Sequence, residues 1–387
     1  VTAPSPVISK IPRIAALDVA RGVAIIGALL IHVLIACDVW AWVPQNALKA
    51  VANTVFRSFT PTFFILFGVM LEMVYVQRLE GARKNPGNLP AGPLLGAGVP
   101  AHDDMAKRLV SRAGLCWLGF TAGAAAAACA GNISLTRFFN AAVLLGDAPW
   151  SSVLRFYVLA LIIAIPMVHA RCRIGWLFPW LLITGIWVID PLLTRVHWPW
   201  SGEGQVLRFF WGSLTGYPPV WIGGSVWHNL TLVALGMGLG FHLRRRAQRG
   251  LSPFPWSCAA VVAGLCLAVL ALSVFQLGWR ELLIGYAGDS MALRARHHPA
   301  YFAGGALSAL AVIAGIFCVV RGDGGLLAVV GRRSLLAFSL GGVLVNLVPR
   351  QYAFGWAAGL AMVVAQLAAT LLLVGLCEIH AQRRKKT

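Results

Sequence analysis

Apolar residues dominate the chain in runs of about twenty, each long enough to cross a hydrocarbon core, and short polar stretches separate them. The runs cover approximately Ile14–Trp40, Phe56–Tyr75, Leu109–Ala130, Ser151–His169, Ile174–Leu193, Val220–His242, Trp256–Leu277, Pro299–Val320, Ser334–Val348 and Phe354–Glu378. Backbone groups in lipid must be satisfied within the segment, so these runs predict helices. The expected fold is an all-α, polytopic membrane bundle of about ten transmembrane helices, with both termini cytoplasmic. What lies between the runs is too short for a second domain, so residues 1–387 read as one integral-membrane unit. Residues 1–10 form a cytoplasmic arm, 77–108 a Gly- and Pro-containing cytoplasmic loop, and 379–387 a basic cytoplasmic tail.

The first run is interrupted by charge. It carries Asp18, Arg21 and His32. At 3.6 residues per turn, the step from Arg21 to His32 returns to within about 20° of the same azimuth, roughly 16 Å along the axis. Ile25 and Leu29 fill the intervening turns. One helix face therefore presents an acid, a base and an imidazole. Ionisable groups at bilayer depth are costly, so this seam is expected to face protein or a water-filled cavity and to carry the chemistry. A lone membrane histidine can instead be an interhelical hydrogen-bonder, a reading that the alignment with Asp18 and Arg21 weakens.

Composition sharpens this picture. The chain is 59% hydrophobic and 12% charged, with a mean hydropathy of +0.76, far from a soluble domain. Its net charge of +19 does not point to nucleic acid, because Lys and Arg gather at the ends of alternate runs. Arg78, Arg83, Lys84, Lys107, Arg108 and Arg112 form one cluster, and Arg244, Arg245, Arg246 and Arg249 another. That distribution follows the positive-inside rule and suits anionic lipid headgroups. The eight cysteines lie mostly inside apolar runs without a Cys-x-x-Cys pair, which reads as core packing rather than a disulfide or zinc framework. Leu34-Ile35-Ala36-Cys37 has the form of a lipoprotein cleavage box, but His32 interrupts the preceding run and many spans follow, so we read it as a chance match.

Other polar residues at membrane depth complete the candidate set. Arg21 and Arg78 could meet the phosphates of a cytoplasmic donor. Glu72, on the antiparallel second span, should lie at the depth of Arg21, either in a donor site or in an ion-pair cluster joining spans 1 and 2. Arg57, Arg155 and His228 are further substrate- or donor-binding candidates, of which Arg155 stands out in an otherwise apolar run. The Trp-rich stretch 194–219 reads as an interfacial belt or as a surface for stacking sugars or headgroups. No metal-ligand motif, phosphate loop or serine elbow is present. No internal repeat is evident, which disfavours an inverted-repeat transporter.

Leu17-Asp18-Val19-Ala20-Arg21-Gly22, with His32 eleven residues after the arginine, resembles the opening signature of the membrane-bound acyltransferase-3 superfamily. Phe59-Thr60-Pro61-Thr62-Phe63-Phe64-Ile65-Leu66-Phe67-Gly68 is similar to its second-span motif, with Phe67 where a serine is usual. Val153–Leu159 and Trp227-His228-Asn229-Leu230 resemble the glucan-succinylating branch. Gly331-Arg332-Arg333-Ser334-Leu335 resembles the entry to a late span, without the downstream histidine frequent there. The resemblance implies a multi-pass enzyme of a bacterial inner membrane. It would transfer an acetyl or succinyl group from cytoplasmic acyl-CoA, a substrate rather than a bound cofactor, to a hydroxyl of an extracytoplasmic carbohydrate or glycolipid. His32 would be the essential base or acyl relay, and Arg21 with basic residues after span 2 would meet the donor. The alternative is a transporter or flippase for a lipid-linked or anionic solute.

Overall fold

Each of the ten apolar runs contains a helix in the computed structural model, which describes residues 13–44, 46–84, 101–195, 205–216, 225–251, 253–288, 291–349 and 355–384. In chain order α1 spans Ala15–Ala36, α2 Ala47–Met70, α3 Gln77–Lys84, α4 Ala101–Cys129, α5 Leu135–Ala142, α6 Ser152–Ile174, α7 Phe178–Leu193 and α8 Gln205–Thr215. Then follow α9 Val226–Gln248, α10 Trp256–Leu277, α11 Trp279–Ala287, α12 Ala292–Ala295, α13 Pro299–Val319, α14 Gly325–Arg332, α15 Ser334–Asn346 and α16 Trp356–Arg383. No strand occurs among the described residues. By length and composition, seven helical stretches could cross a membrane, or eight if α14 and α15, which meet at 86°, are counted as one broken span.

Besides the α14–α15 break, two features explain why seven is lower than the ten apolar runs. One of the seven stretches, Ser152–Leu193, is 42 residues long and contains both α6 and α7. Gly175, at φ +84°, breaks it. The breakpoint reverses the chain. Arg171, near the end of α6, and Arg244, near the end of α9, meet on Glu72, whereas Asp190, near the end of α7, meets His228 at the start of α9. The sixteen residues from His228 to Arg244 separate those two contacts by about 24 Å of helix. The second feature is α9, which is not among the seven. It carries Arg244, Arg245 and Arg246, and most of its side chains are buried by protein rather than by lipid.

The same contacts define two ends of the bundle. Arg21, Arg112, Arg171 and Arg244 mark a basic end, and His32, Trp150, Asp190 and His228 lie toward the far end. In α2, the centre of the bundle, 67% of the most apolar window is buried, against 17% in α10 and 22% in α16, whose apolar faces point outward. α2 and α9 approach until backbones touch: a Cβ on Gly68 would collide with the Val233 carbonyl, and one on Gly236 with that of Ile65. Small residues permit such close crossing. Gly22 of α1 meets α14 in the same way, against the Leu327 carbonyl.

Several expected loops are helical. Of the loop placed at 77–108, residues 77–84 extend the second span through a π-helical turn, Leu71–Val76, and 101–108 begin α4; only 85–100 fall outside the described residues. The stretch 194–219 contains α8, while His197, Trp198, Trp200, Glu203 and Tyr217 lie outside the described residues. Residues 379–383 of the expected tail belong to α16. The arm 1–10 also lies outside the described residues.

Candidate active site

The face of α1 divides at its middle. Ile25 and Leu29 are 0% and 2% exposed, packed toward Ala337, Leu371 and Val374 of α15 and α16, and so they plug the seam. Asp18 and Arg21 are left at the basic end and His32 near the other. No continuous polar stripe runs between them along α1. A connection across the neighbouring helices does exist, and it is aromatic.

His32 packs its ring against Trp150, with centroids 5.3 Å apart, and edge-on to Phe338 at 6.4 Å. Phe338 contacts Phe63, and the hydroxyl of Tyr157 donates to the Phe63 carbonyl at 3.1 Å. Tyr157 also packs against Phe67 at 5.1 Å. Beyond it, the charge of Arg21 acts on Tyr157, and Arg112 is within electrostatic reach of Arg21. Arg21, His32 and Tyr157 are each half-buried. This run of contacts joins α1, α2, α6 and α15. Phe67, the residue that stands in place of the motif serine, is part of it.

The His32 end is built with strain. Trp150 has φ +59°, a conformation costly for a bulky side chain and concentrated at functional sites. The adjoining backbone is fixed by Asn346, whose Nδ2 donates to the Pro149 carbonyl at 2.9 Å and to Ser151 Oγ at 3.4 Å. His32 Nδ1 has no accessible surface and no hydrogen-bond partner among the described residues. A buried polar atom left unpaired costs about 1–3 kcal/mol; the accessible surface of His32 lies elsewhere on the residue. Asp18 is too far along α1 to orient the ring. It is engaged by Arg13 Nε at 2.6 Å and, more loosely, by Arg21 Nη1 at 3.9 Å.

The remaining candidates separate into different places. Glu72 does not meet Arg21. The π-helical turn carries it into the core, fully buried, where Oε1 accepts from Arg171 at 2.8 Å and Arg244 at 3.0 Å. Arg244 also reaches Glu80 at 3.1 Å, and Phe241 lies under Arg171, Arg244 and Arg245. This is a clamp joining α2, α6 and α9 rather than a contact between spans 1 and 2. Arg78 is exposed on α3 and is not brought to the Arg21–Tyr157–His32 run. Arg57 donates to the Gly288 carbonyl at 2.6 Å and holds the turn after α11. His228 is fully buried in a far-end cluster: Nδ1 meets Ser225 Oγ at 2.5 Å, Nε2 meets Asp190 Oδ1 at 2.6 Å, and the ring stacks on His297 at 4.6 Å. Ser225 caps α9, so this group resembles a nucleophile triad only in its residue types.

Arg155, one turn into α6, donates to the Gly146 carbonyl at 3.1 Å and lies over Phe209 at 4.6 Å. It lines a small far-end cleft that sequence reasoning missed, because its second cation, Arg294, comes from a distant turn. Among the described residues no group of three or more His, Cys, Asp or Glu side chains is placed to hold a metal ion. Comparison with protein-family models, curated proteins and solved structures gives no match.

Proposed function

We propose that the chain is a membrane O-acyltransferase that takes an acyl group from acyl-CoA at the basic end and delivers it to a hydroxyl presented at the far end. The observation that carries this reading is the run of aromatic contacts that joins the guanidinium groups of the basic end to a half-buried imidazole at the far end. The residue signature from Leu17 to His32 supports it. With the basic end cytoplasmic and ten helical crossings, both termini are cytoplasmic, as the positive-inside pattern requires.

In this mechanism Arg21 and Arg112 attract the phosphates of the donor, and the aromatic wall through Tyr157 and Phe67 guides its acyl arm. His32 takes the proton from the acceptor hydroxyl as that oxygen attacks the thioester carbonyl. The carbon–sulfur bond then breaks, and the imidazolium returns the proton to the departing thiolate, which leaves as CoA. A positioned general base contributes about 10²–10⁴ in rate. A carboxylate partner for His32 is absent among the described residues, so packing by Trp150 and Phe338 sets its orientation.

The test is acyl-CoA turnover by the purified full chain. His32→Gln is expected to lower turnover by about 10²–10⁴ with an unchanged melting temperature. Full activity in that variant removes the mechanism. Solute movement into proteoliposomes without thioester cleavage would assign the polar residues of α1 to transport instead.

A further inference from the structure

The stretch after α4 does not leave the bundle. Asn132 Nδ2 donates to the carbonyls of Asn346 and Val348, each at 2.9 Å, which holds the end of α4 in the far-end group. From there α5 turns back along α4, whose Ala124–Ala128 run lets a second helix lie close. The carboxyl end of α5 comes down to Trp117, whose Nε1 donates to the Ala142 carbonyl at 2.7 Å. Trp117 lies twelve residues, about 18 Å of helix, before Cys129. From Arg112, at the basic end, to Cys129 the helix measures about 26 Å, less than the roughly 30 Å of a hydrocarbon core. Trp117 and the carboxyl end of α5 are thus at bilayer depth.

The side chains of α5 sort by direction. Leu135, Phe139 and Val143, four residues apart, are 63–69% exposed and form one stripe. Thr136, Arg137 and Asn140 fall on a separate, polar side, and Ala141 is buried. The chain reverses at Leu144, which has φ +63°. Its N–H donates to the Ala141 carbonyl, and that of Leu145 to the Asn140 carbonyl, both at 2.8 Å. A Cβ on Gly146 would collide with Asn140 and Ala141, so the return lies against α5. Arg137 is within electrostatic reach of Asp147, which brings the return back toward the first turn of α5. It then ends on Trp150, packed on the His32 ring. Non-helical backbone and ionisable groups at membrane depth persist only where protein covers them or water adjoins them. Gly146 and Asp147 are half-buried rather than covered.

We infer that residues 135–151 form a re-entrant hairpin. α5 enters the bilayer from the far face with Leu135, Phe139 and Val143 against lipid chains, and the return through Gly146 and Asp147 lies open to water. Trp150 is then set on His32 by an element within the membrane and not by an outer loop. The hairpin does not depend on the acyl-transfer reading.

The reactivity of introduced thiols tests this in the full chain, reconstituted in lipid with a charged maleimide on both faces of the membrane. No native cysteine lies between Cys129 and Cys172, so label on the hairpin is read from its own peptide by mass spectrometry with the native cysteines in place. Asp38→Cys, exposed just past α1 at the far end, is the water control. Asp147→Cys should react as Asp38→Cys does, and Asn140→Cys, on the polar side, serves where Asp147→Cys does not fold. Phe139→Cys should stay unlabelled in the membrane and react once the chain is denatured. Labelling of Phe139→Cys as fast as Asp38→Cys puts α5 in water and overturns the hairpin. Disulfide-linked dimers of Phe139→Cys on oxidation assign the stripe to a second copy and overturn the lipid contact. Silence of both Asp147→Cys and Asn140→Cys overturns the open return. Acyl turnover is not read in this experiment, so a chain without that activity can still show the hairpin.

Discussion

Arg21 and His297 show how differently two ionisable groups act in this molecule. Arg21 is half-buried and, among the described residues, makes a long 3.9 Å contact to Asp18, which leaves its guanidinium loosely held. Arg21→Gln is expected to raise KM for acyl-CoA about tenfold with a smaller change in kcat, read from steady-state kinetics. His297 is 4% exposed, stacked on His228. Burial, reinforced by His228, lowers its pKa from 6.5 to about 4. Between those values the unfolded chain binds a proton that the folded chain refuses. The stability this group contributes is therefore full above about pH 6.5 and declines as the pH falls toward 4, by up to roughly 3 kcal/mol. Asp147, raised by burial, titrates in the opposite sense, so the difference between wild type and His297→Gln isolates the histidine. That variant should lose less stability between pH 7 and 5, measured by thermal unfolding. The α1 residues were legible because helical period alone brings Asp18, Arg21 and His32 together. Asp190, Ser225 and His297 were not, since they converge from three distant stretches and their types carry no local motif.

At the scale of elements, the π-helical turn and α9 are the informative departures. The turn rotates Glu72 away from α1 into the Arg171–Arg244 clamp, a change of azimuth that a regular 3.6-residue period cannot anticipate. Removing one partner of a buried ion pair leaves uncompensated charge and costs about 3–5 kcal/mol. Glu72→Gln is accordingly expected to lower the melting temperature strongly, and Glu80→Gln, whose carboxylate is partly exposed, only slightly. Equal effects would show that the clamp does not join α2, α6 and α9 as described. Hydropathy identified α1, α10, α13 and α16 readily because lipid or apolar neighbours cover them. It located α9 as well but not its setting, in which protein supplies the covering and arginines find acids and an aromatic ring. The break between α14 and α15 was hidden for a related reason: both halves are apolar, so composition does not mark the 86° bend.

For the whole molecule, the account requires two aqueous mouths on opposite faces of the membrane. The basic clusters mark one face and the Trp150 region the other. The most direct measurement encloses a carbohydrate acceptor inside proteoliposomes containing the chain in one orientation, then adds radiolabelled acyl-CoA outside. Label should appear on the enclosed acceptor when the basic end faces outward, and not when the orientation is reversed or when His32 is Gln. Label transferred only when donor and acceptor share one side, or transferred equally well without His32, would contradict it.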